Sequence, residues 1–325
     1  MTGTERPIAG NDRTADSRRQ PILGERQILA RRTLLRQTAA VAAGSLVAGA
    51  VDASSRGRTP AAAAGGMQQR ERAAHGTDLQ PQEAIGSILA ALDRFPLVAL
   101  GERHLIQEMH DLYTALLRHP ALPGKVDDIV VEFGNALYQD IADRFILGDQ
   151  PIARADLARI WRFTIGGGVY WDAPVYEQFF RTVRAVNWMG PPARRIRVLL
   201  GDPPFDHRTV RGVRDTAYAV SVQEQRDAHY AGVVEREVLH RGRRALLIAG
   251  SDHLLRGIHD HSTPPRPNAV SLLVPRHPRA LYVVDTLVLP PGAQEDPLVQ
   301  RAQANVAHWP RPAIAQLAGT WLGGT

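Results

Sequence analysis

The feature that most constrains the fold is a regular alternation of short apolar runs and amphipathic stretches that begins near residue 77. The apolar runs, rich in leucine and β-branched residues, predict strands at residues 97–101, 128–133, 196–201, 245–250, 269–274 and 281–289. Stretches with a helical period occupy residues 81–94, 105–118, 136–147, 154–163, 175–188 and 222–241. Strands that alternate with helices form a mostly parallel sheet with helices on both faces. We therefore expect one α/β domain over residues 77–325, in which the last two runs could pair as an antiparallel hairpin at one edge.

Charge is distributed unevenly along the chain. The formal net charge is +6, and the first 72 residues hold 12 arginines against 6 acidic residues, whereas the remainder carries 27 basic and 27 acidic residues. A balanced domain has no overall field that would attract nucleic acid, so we expect no nucleic-acid partner. The chain has no cysteine, which excludes disulfides, thiolate metal sites and a cysteine nucleophile.

The N-terminal segment has the features of an export signal. Arg31-Arg32-Thr33-Leu34-Leu35-Arg36 precedes about 14 small, uncharged residues, which is too short to span a bilayer and resembles a twin-arginine signal peptide. Small-x-small cleavage sites end at Ala50 and at Ala53, and the sequence does not choose between them. We expect a signal over residues 1–53, a flexible linker over 54–76, and passage through the twin-arginine translocase to the periplasm or the exterior, without a stable membrane anchor.

Polar clusters follow four of the predicted strands. They are Gly101-Glu102-Arg103-His104, Glu132-Phe133-Gly134-Asn135, Gly201-Asp202-Pro203-Pro204 and Gly250-Ser251-Asp252-His253. In open α/β sheets, ligands bind at the carboxyl ends of the strands. The sequence therefore predicts a functional site at this edge.

Two Gly-x-x-His motifs carry a family resemblance. Together with Glu102, Glu132 and the following Gln139, the pair ending in His104 and His253 resembles the superfamily of ChaN-like haem-binding proteins, TraB/TIKI proteases and erythromycin esterases. Residues 97–162 look most like the ChaN branch. Erythromycin esterases space the first Glu and His one residue further apart, and TIKI proteases are membrane-tethered. The resemblance implies a fold and a site more firmly than a substrate.

The site residues are compatible with two routes to hydrolysis of an ester or amide bond in a small molecule or peptide. In one, His104 is a general base on water, oriented by Glu132 or Glu102, and His253 or Arg256 steadies the oxyanion. In the other, His104 and His253 join Glu102 or Glu132 around a divalent metal ion. The chain has no Gly-x-Ser-x-Gly elbow, which argues against the usual serine hydrolase.

Other residues are second-tier candidates or belong to an alternative function. His110, Asp202 and Arg256 are second-tier site residues. A histidine on a helix, such as His110, is often a core or surface residue, and Asp202 ends a strand before two prolines that fix its loop. Gly166-Gly167-Gly168, followed by Val169-Tyr170-Trp171, is either a lid or an ordinary surface loop. The alternative function, implied by the ChaN resemblance, is haem binding or haem delivery through a histidine or a tyrosine. The tyrosines available for this include Tyr113, Tyr138, Tyr170 and Tyr230.

Overall fold

The computed structural model describes residues 78–167, 170–212, 215–255, 266–286, 297–318 and 320–322. The expected signal at 1–53, the linker at 54–76 and the second-tier candidate Arg256 lie outside the described residues. Within those ranges, no helix is both long enough and apolar enough to cross a membrane.

A five-stranded parallel sheet forms the centre of the domain. In chain order, the strands of this sheet and of a second, two-stranded sheet are β1 (Gln82–Glu83), β2 (Leu97–Glu102), β3 (Asp128–Asn135), β4 (Arg197–Asp202), β5 (Ala245–Gly250), β6 (Leu281–Val284) and β7 (Ala313–Ile314). The parallel sheet has the order β4-β3-β5-β2-β6, and β1 pairs with β7 in a separate antiparallel sheet. Strands β2, β3 and β5 are buried along their whole length, which explains their continuous apolar sequence.

Helices cover both faces of the parallel sheet, as the sequence predicts. They are α1 (Ala84–Arg94), α2 (Gln107–Arg118), α3 (Gln139–Ile146), α4 (Arg154–Leu157), α5 (Arg159–Arg162), α6 (Pro174–Met189), α7 (Thr216–Glu224), α8 (Arg226–Val233), α9 (Ala269–Leu273) and α10 (Pro297–Val306). On one face, Val98 and Ile129 pack in a core with Phe179 of α6. On the other, Val130 packs in a second core with Val270 of α9. Alternate residues of each strand thus supply opposite cores.

The register between β2 and β5 places the two histidine motifs side by side. Leu97 pairs with Ala245 and Glu102 pairs with Gly250, so both strands end at the same level. The motifs that lead to His104 and His253 therefore start on neighbouring strands at one edge of the sheet.

The expected antiparallel hairpin at the C-terminal end is wrong. Residues 269–273 form helix α9, and β6 runs parallel to β2. The side chain of Asn268 accepts a hydrogen bond from the Ser271 N–H at 2.9 Å and thereby caps the helix. A short run of Ala, Val and Leu fits a buried helix and a buried strand equally well by period, and the Asn268 cap was the local signal for a helix.

Candidate functional site

The carboxyl ends of strands β2 to β5 bring most of the predicted site residues together in two groups. The His104 corner consists of Glu102, His104, His110 and Tyr176. The His253 corner consists of Glu132, Asp202, Arg226, Asp227 and His253. The sequence predicted all of these except Tyr176, Arg226 and Asp227.

Glu102 is the buried carboxylate of the His104 corner and the last residue of β2. Its Oε1 accepts hydrogen bonds from the Tyr176 hydroxyl at 3.0 Å and from His110 Nε2 at 3.1 Å. Its Oε2 is buried and has no hydrogen-bond partner among the described residues. Burial alone would raise the pKa of Glu102, but the proximity of His104 and the hydrogen bond and charge of His110 outweigh it and lower the pKa below its usual value. Glu102 is therefore an ionised carboxylate with one oxygen still free to accept.

His104 lies in the loop after β2, with 28% of its side chain exposed. Its Nδ1 is 3.7 Å from Glu102 Oε1, just beyond a hydrogen bond, and has no closer partner in the described part of the chain. The ring meets Trp171 edge-on, with centroids 4.3 Å apart, and Tyr170 lies 5.9 Å away. Burial would lower the pKa of His104, but the charges of Glu132 and Glu102 outweigh it and raise that pKa. His104 is thus the partly exposed, under-bonded imidazole of the site.

The backbone after His104 takes an unusual conformation. Leu105 has a φ of 65°, in the left-handed region that a leucine seldom adopts. Its N–H donates to the Tyr176 hydroxyl at 3.4 Å, and its side chain is 50% exposed. Such strain persists only where surrounding contacts hold it, and it is common at functional sites.

Close approach explains why both motifs begin with glycine. A Cβ on Gly250 would lie 3.1 Å from His104 Cε1, 3.3 Å from His104 Nε2 and 3.2 Å from Glu132 Oε2. A Cβ on Gly101 would lie 2.8 Å from Ser251 Oγ. The Gly250 N–H donates to Glu132 Oε2 at 2.5 Å. His104 and Glu132 therefore meet over the backbone of Gly250, where the two corners touch.

Arg226 joins two of the three carboxylates of the His253 corner, Glu132 and Asp202. It is the first residue of α8, and its Nη2 donates to Glu132 Oε1 at 2.7 Å while its Nε donates to Asp202 Oδ1 at 2.7 Å. Tyr230 adds a hydrogen bond from its hydroxyl to the same Asp202 oxygen at 2.9 Å. Neither arginine bond uses Nη1. A buried guanidinium is thus bonded to a buried carboxylate on each side, which compensates for its removal from water.

His253 also lies between two carboxylates. Its Nδ1 donates to Asp227 Oδ1 at 2.8 Å, and its Nε2 is 3.3 Å from Glu132 Oε1. Burial would lower the pKa of His253, but the charges of Glu132 and Asp227 outweigh it and raise the pKa to about 10. Desolvation likewise would raise the pKa of Glu132, yet His253, Arg226 and His104 hold it well below its usual range. His253 is therefore an imidazolium at neutral pH.

The predicted metal set of Glu102, His104 and His253 does not fit a metal ion in this arrangement. A ligating imidazole must be neutral and offer a free lone pair. Both ring nitrogens of His253 are instead directed at carboxylates. Over the described ranges, no group of three histidine, aspartate or glutamate side chains is placed to hold a metal.

The four tyrosines considered for haem occupy different environments. The Tyr113 hydroxyl donates to the Gly101 carbonyl at 3.1 Å, and Tyr230 is held by Asp202. Tyr138 is buried, whereas Tyr170 is partly exposed beside His104. Tyr170 is thus the one of these four that borders His104 and reaches solvent.

Sequence reasoning missed Tyr176, Arg226 and Asp227. Tyr176 belongs to an aromatic stripe with Phe179 and Phe180 on α6, and such a stripe indicates a buried helix face but not a hydrogen bond to a carboxylate. Arg226 and Asp227 are adjacent charged residues at the start of a helix, a pattern that usually marks an exposed first turn. No local signal distinguished these residues from ordinary helix residues.

Comparisons with known proteins give little further help. No family model and no curated protein matches this chain. The chain is similar to a solved structure that describes cofacial heme binding to ChaN of Campylobacter jejuni, with 16% identity and a TM-score of 0.39 over 64% of this chain and 91% of that one. We therefore interpret the site from its own geometry.

Proposed function

We propose that this protein hydrolyses an ester or amide bond with His104 as the general base. The observation that carries the proposal is that His104, unlike His253, has a ring nitrogen, Nδ1, without a hydrogen-bond partner among the described residues. Its ring is partly exposed, its Nδ1 lies 3.7 Å from the ionised Glu102, and its Nε2 edge lies over Gly250 near Glu132.

Glu102 would orient the base. A carboxylate beside one ring nitrogen of a histidine keeps the proton on that nitrogen, so that the lone pair lies on the other. We assign the proton to Nδ1, the ring nitrogen nearer Glu102, which leaves the lone pair of Nε2 to act on water. Catalytic hydrogen bonds are often long without substrate and tighten when it binds, which accommodates the 3.7 Å separation.

The proton and the bonds balance in two steps. In the first, Nε2 of His104 takes a proton from water while the water oxygen bonds to the carbonyl carbon of the substrate, and the π electrons of the C=O bond move to its oxygen, giving an oxyanion. In the second, the carbonyl re-forms, the C–O or C–N bond breaks, and the same proton passes from His104 to the leaving alkoxide or amine. No other reactant than water is required.

Within the His253 corner, Arg226 would stabilise the oxyanion, because its Nη1 takes part in neither of its bonds to the carboxylates. His253 carries a positive charge at neutral pH because its pKa is about 10, but both of its ring nitrogens face carboxylates. Positive groups held in place beside a developing negative charge lower the barrier without reorganising. A histidine with this pKa cannot be the base at neutral pH, so the roles of His104 and His253 differ.

The test is hydrolysis of a panel of p-nitrophenyl esters, amino-acid anilides and short peptides by the purified protein, beside an absorption spectrum with added haem. We expect turnover that His104→Gln abolishes and no stable haem complex. The haem alternative predicts instead a strong Soret band that Tyr170→Phe weakens and His104→Gln leaves unchanged, and that result would overturn the hydrolase.

We further propose that the enzyme is exported through the twin-arginine translocase. The receptor reads the arginine pair itself, so replacing Arg31 and Arg32 with lysine should trap the precursor in the cytoplasm although the charge is kept. Cell fractionation of the double variant measures this, and normal export would contradict it.

A further inference from the structure

We infer that Tyr176 is the positioning residue of the His104 corner, fixing the distance between His104 and the carboxylate that orients it. This inference rests on the proposed function. The effect of Tyr176 on catalysis would be indirect, since its hydroxyl contacts Glu102 and the loop of His104 rather than the substrate.

The hydroxyl of Tyr176 links Glu102 to the loop that carries His104. It donates to Glu102 Oε1 at 3.0 Å and accepts the Leu105 N–H at 3.4 Å. Glu102 ends β2, and Leu105 directly follows His104. The Tyr176 hydroxyl oxygen therefore contacts both the Glu102 carboxylate and the strained backbone of Leu105, whose φ is 65°.

The ring of Tyr176 is itself immobilised. Pro174 opens α6 without losing a hydrogen bond, which puts Tyr176 in the first turn of that helix. Its ring centroid lies 5.0 Å from that of His110, 4.9 Å from that of Phe133 and 5.1 Å from that of Trp171. The hydroxyl is thus aimed by packing that extends over three elements of the fold.

The hydroxyl also determines which oxygen of Glu102 is available. Tyr176 and His110 both donate to Oε1, the oxygen nearest to Nδ1 of His104. A carboxylate oxygen has about two lone pairs, so these two donors fill Oε1. Tyr176 and His110 therefore leave Oε2, which has no partner among the described residues, as the Glu102 oxygen that can accept from His104 Nδ1.

The variant Tyr176→Phe removes the hydroxyl and keeps the ring. We expect kcat to fall about 10- to 100-fold with little change in KM, since a hydrogen bond to a charged group is lost away from the substrate. Tyr113→Phe is the matched control, because Tyr113 is equally buried and donates at 3.1 Å to the Gly101 carbonyl in the same strand. The control should change kcat less than about threefold.

A second measurement does not depend on activity. In the NMR spectrum of Tyr176→Phe, the Leu105 amide should exchange faster with solvent and the ring nitrogen signals of His104 should shift, whereas Tyr113→Phe should leave both unchanged. These shifts in a protein that hydrolyses nothing would support the positioning role and refute the hydrolase. Unchanged kcat and unchanged signals in Tyr176→Phe would overturn the inference.

The wild-type protein provides the remaining test, should Tyr176→Phe fail to fold. Leu105 lies in a surface loop with half of its side chain exposed. We expect its amide to exchange slowly despite that exposure, because it is bonded to Tyr176. Fast exchange of this amide in the folded wild type would overturn the inference.

Discussion

The two corners of the site start from the same tetrapeptide pattern on neighbouring strands, yet they are bonded in opposite ways. His253 directs both ring nitrogens at carboxylates, and 16% of its side chain is exposed. His104 has its nearest carboxylate oxygen at 3.7 Å, and 28% of its side chain is exposed. The shared pattern therefore determines where each histidine lies, and the neighbours determine what it can do.

The neighbours come from different elements. Helix α8 supplies Arg226 and Asp227 to the His253 corner, which becomes a chain of alternating charges. Helices α2 and α6 supply His110 and Tyr176 to the His104 corner, where they donate to Glu102 and leave His104 unpaired. A satisfied ion network holds a fixed charge, whereas an under-bonded imidazole can gain and lose a proton.

The largest expected effect is on catalysis at His104. His104→Gln should lower kcat about 10²- to 10⁴-fold, the usual contribution of a general base. Thermal unfolding should change little, because the ring is partly exposed and its Nδ1 has no hydrogen-bond partner among the described residues. The exposed His308 provides the control, and His308→Gln should keep full activity. A fully active His104→Gln enzyme would mean that the base lies elsewhere.

The next effect is on stability in the His253 corner. Arg226→Met should lower the free energy of unfolding by about 3–5 kcal/mol, because Asp202 and Glu132 lose the cation between them inside the protein. Arg144→Met removes a solvent-exposed partner of Asp140 and should change stability little. Denaturant titration of both variants measures the difference. Equal stability of the two variants would show that the network contributes nothing.

A third prediction concerns the pH dependence of that stability. The folded pKa of His253 is about 10, above the ordinary value of 6.5, so its contribution is complete below about pH 6.5 and is lost as the pH rises through 10. His253→Gln should therefore destabilise the protein by about 3 kcal/mol at pH 6 and by progressively less toward pH 10. Unfolding curves across this range test the sign. A difference in the free energy of unfolding between wild type and His253→Gln that grows with pH would refute a charged His253.

The smallest expected effect links the two corners through pH. Activity requires neutral His104, whose pKa is raised by Glu132 and Glu102 against the opposing charge of Arg226. The rate should therefore rise with pH through an apparent pKa above 6.5. Glu132→Gln removes one of the negative charges that raise the pKa of His104 and should lower the apparent pKa of the pH–rate profile by about one unit. An unchanged apparent pKa in a folded, active variant would show that the two corners are independent.

Much of the fold follows from local pattern, and one element shows its limit. The burial of Val98, Ile129 and Leu246 on one face, and of Val130 on the other, follows from runs that are apolar throughout. Residues 269–273 carry a similar run and form a helix, because Asn268 caps them and the next strand, β6, pairs with β2 in parallel. Period alone does not separate these outcomes over five residues.

The local sequence places Glu102 and His104 two residues apart at the end of β2, and Glu132, Asp202 and the second motif at or near the carboxyl ends of parallel strands of one sheet. These relations are local, or follow from the rule that parallel strands end at one edge. Tertiary packing determines that His253, and not His104, has carboxylates at both of its ring nitrogens. Tyr176 reaches Glu102 across 74 residues and Arg226 reaches Glu132 across 94, because helices packed on the sheet deliver both side chains to the strand ends. Side-chain partners so distant in sequence are set by packing, which no spacing along the chain encodes.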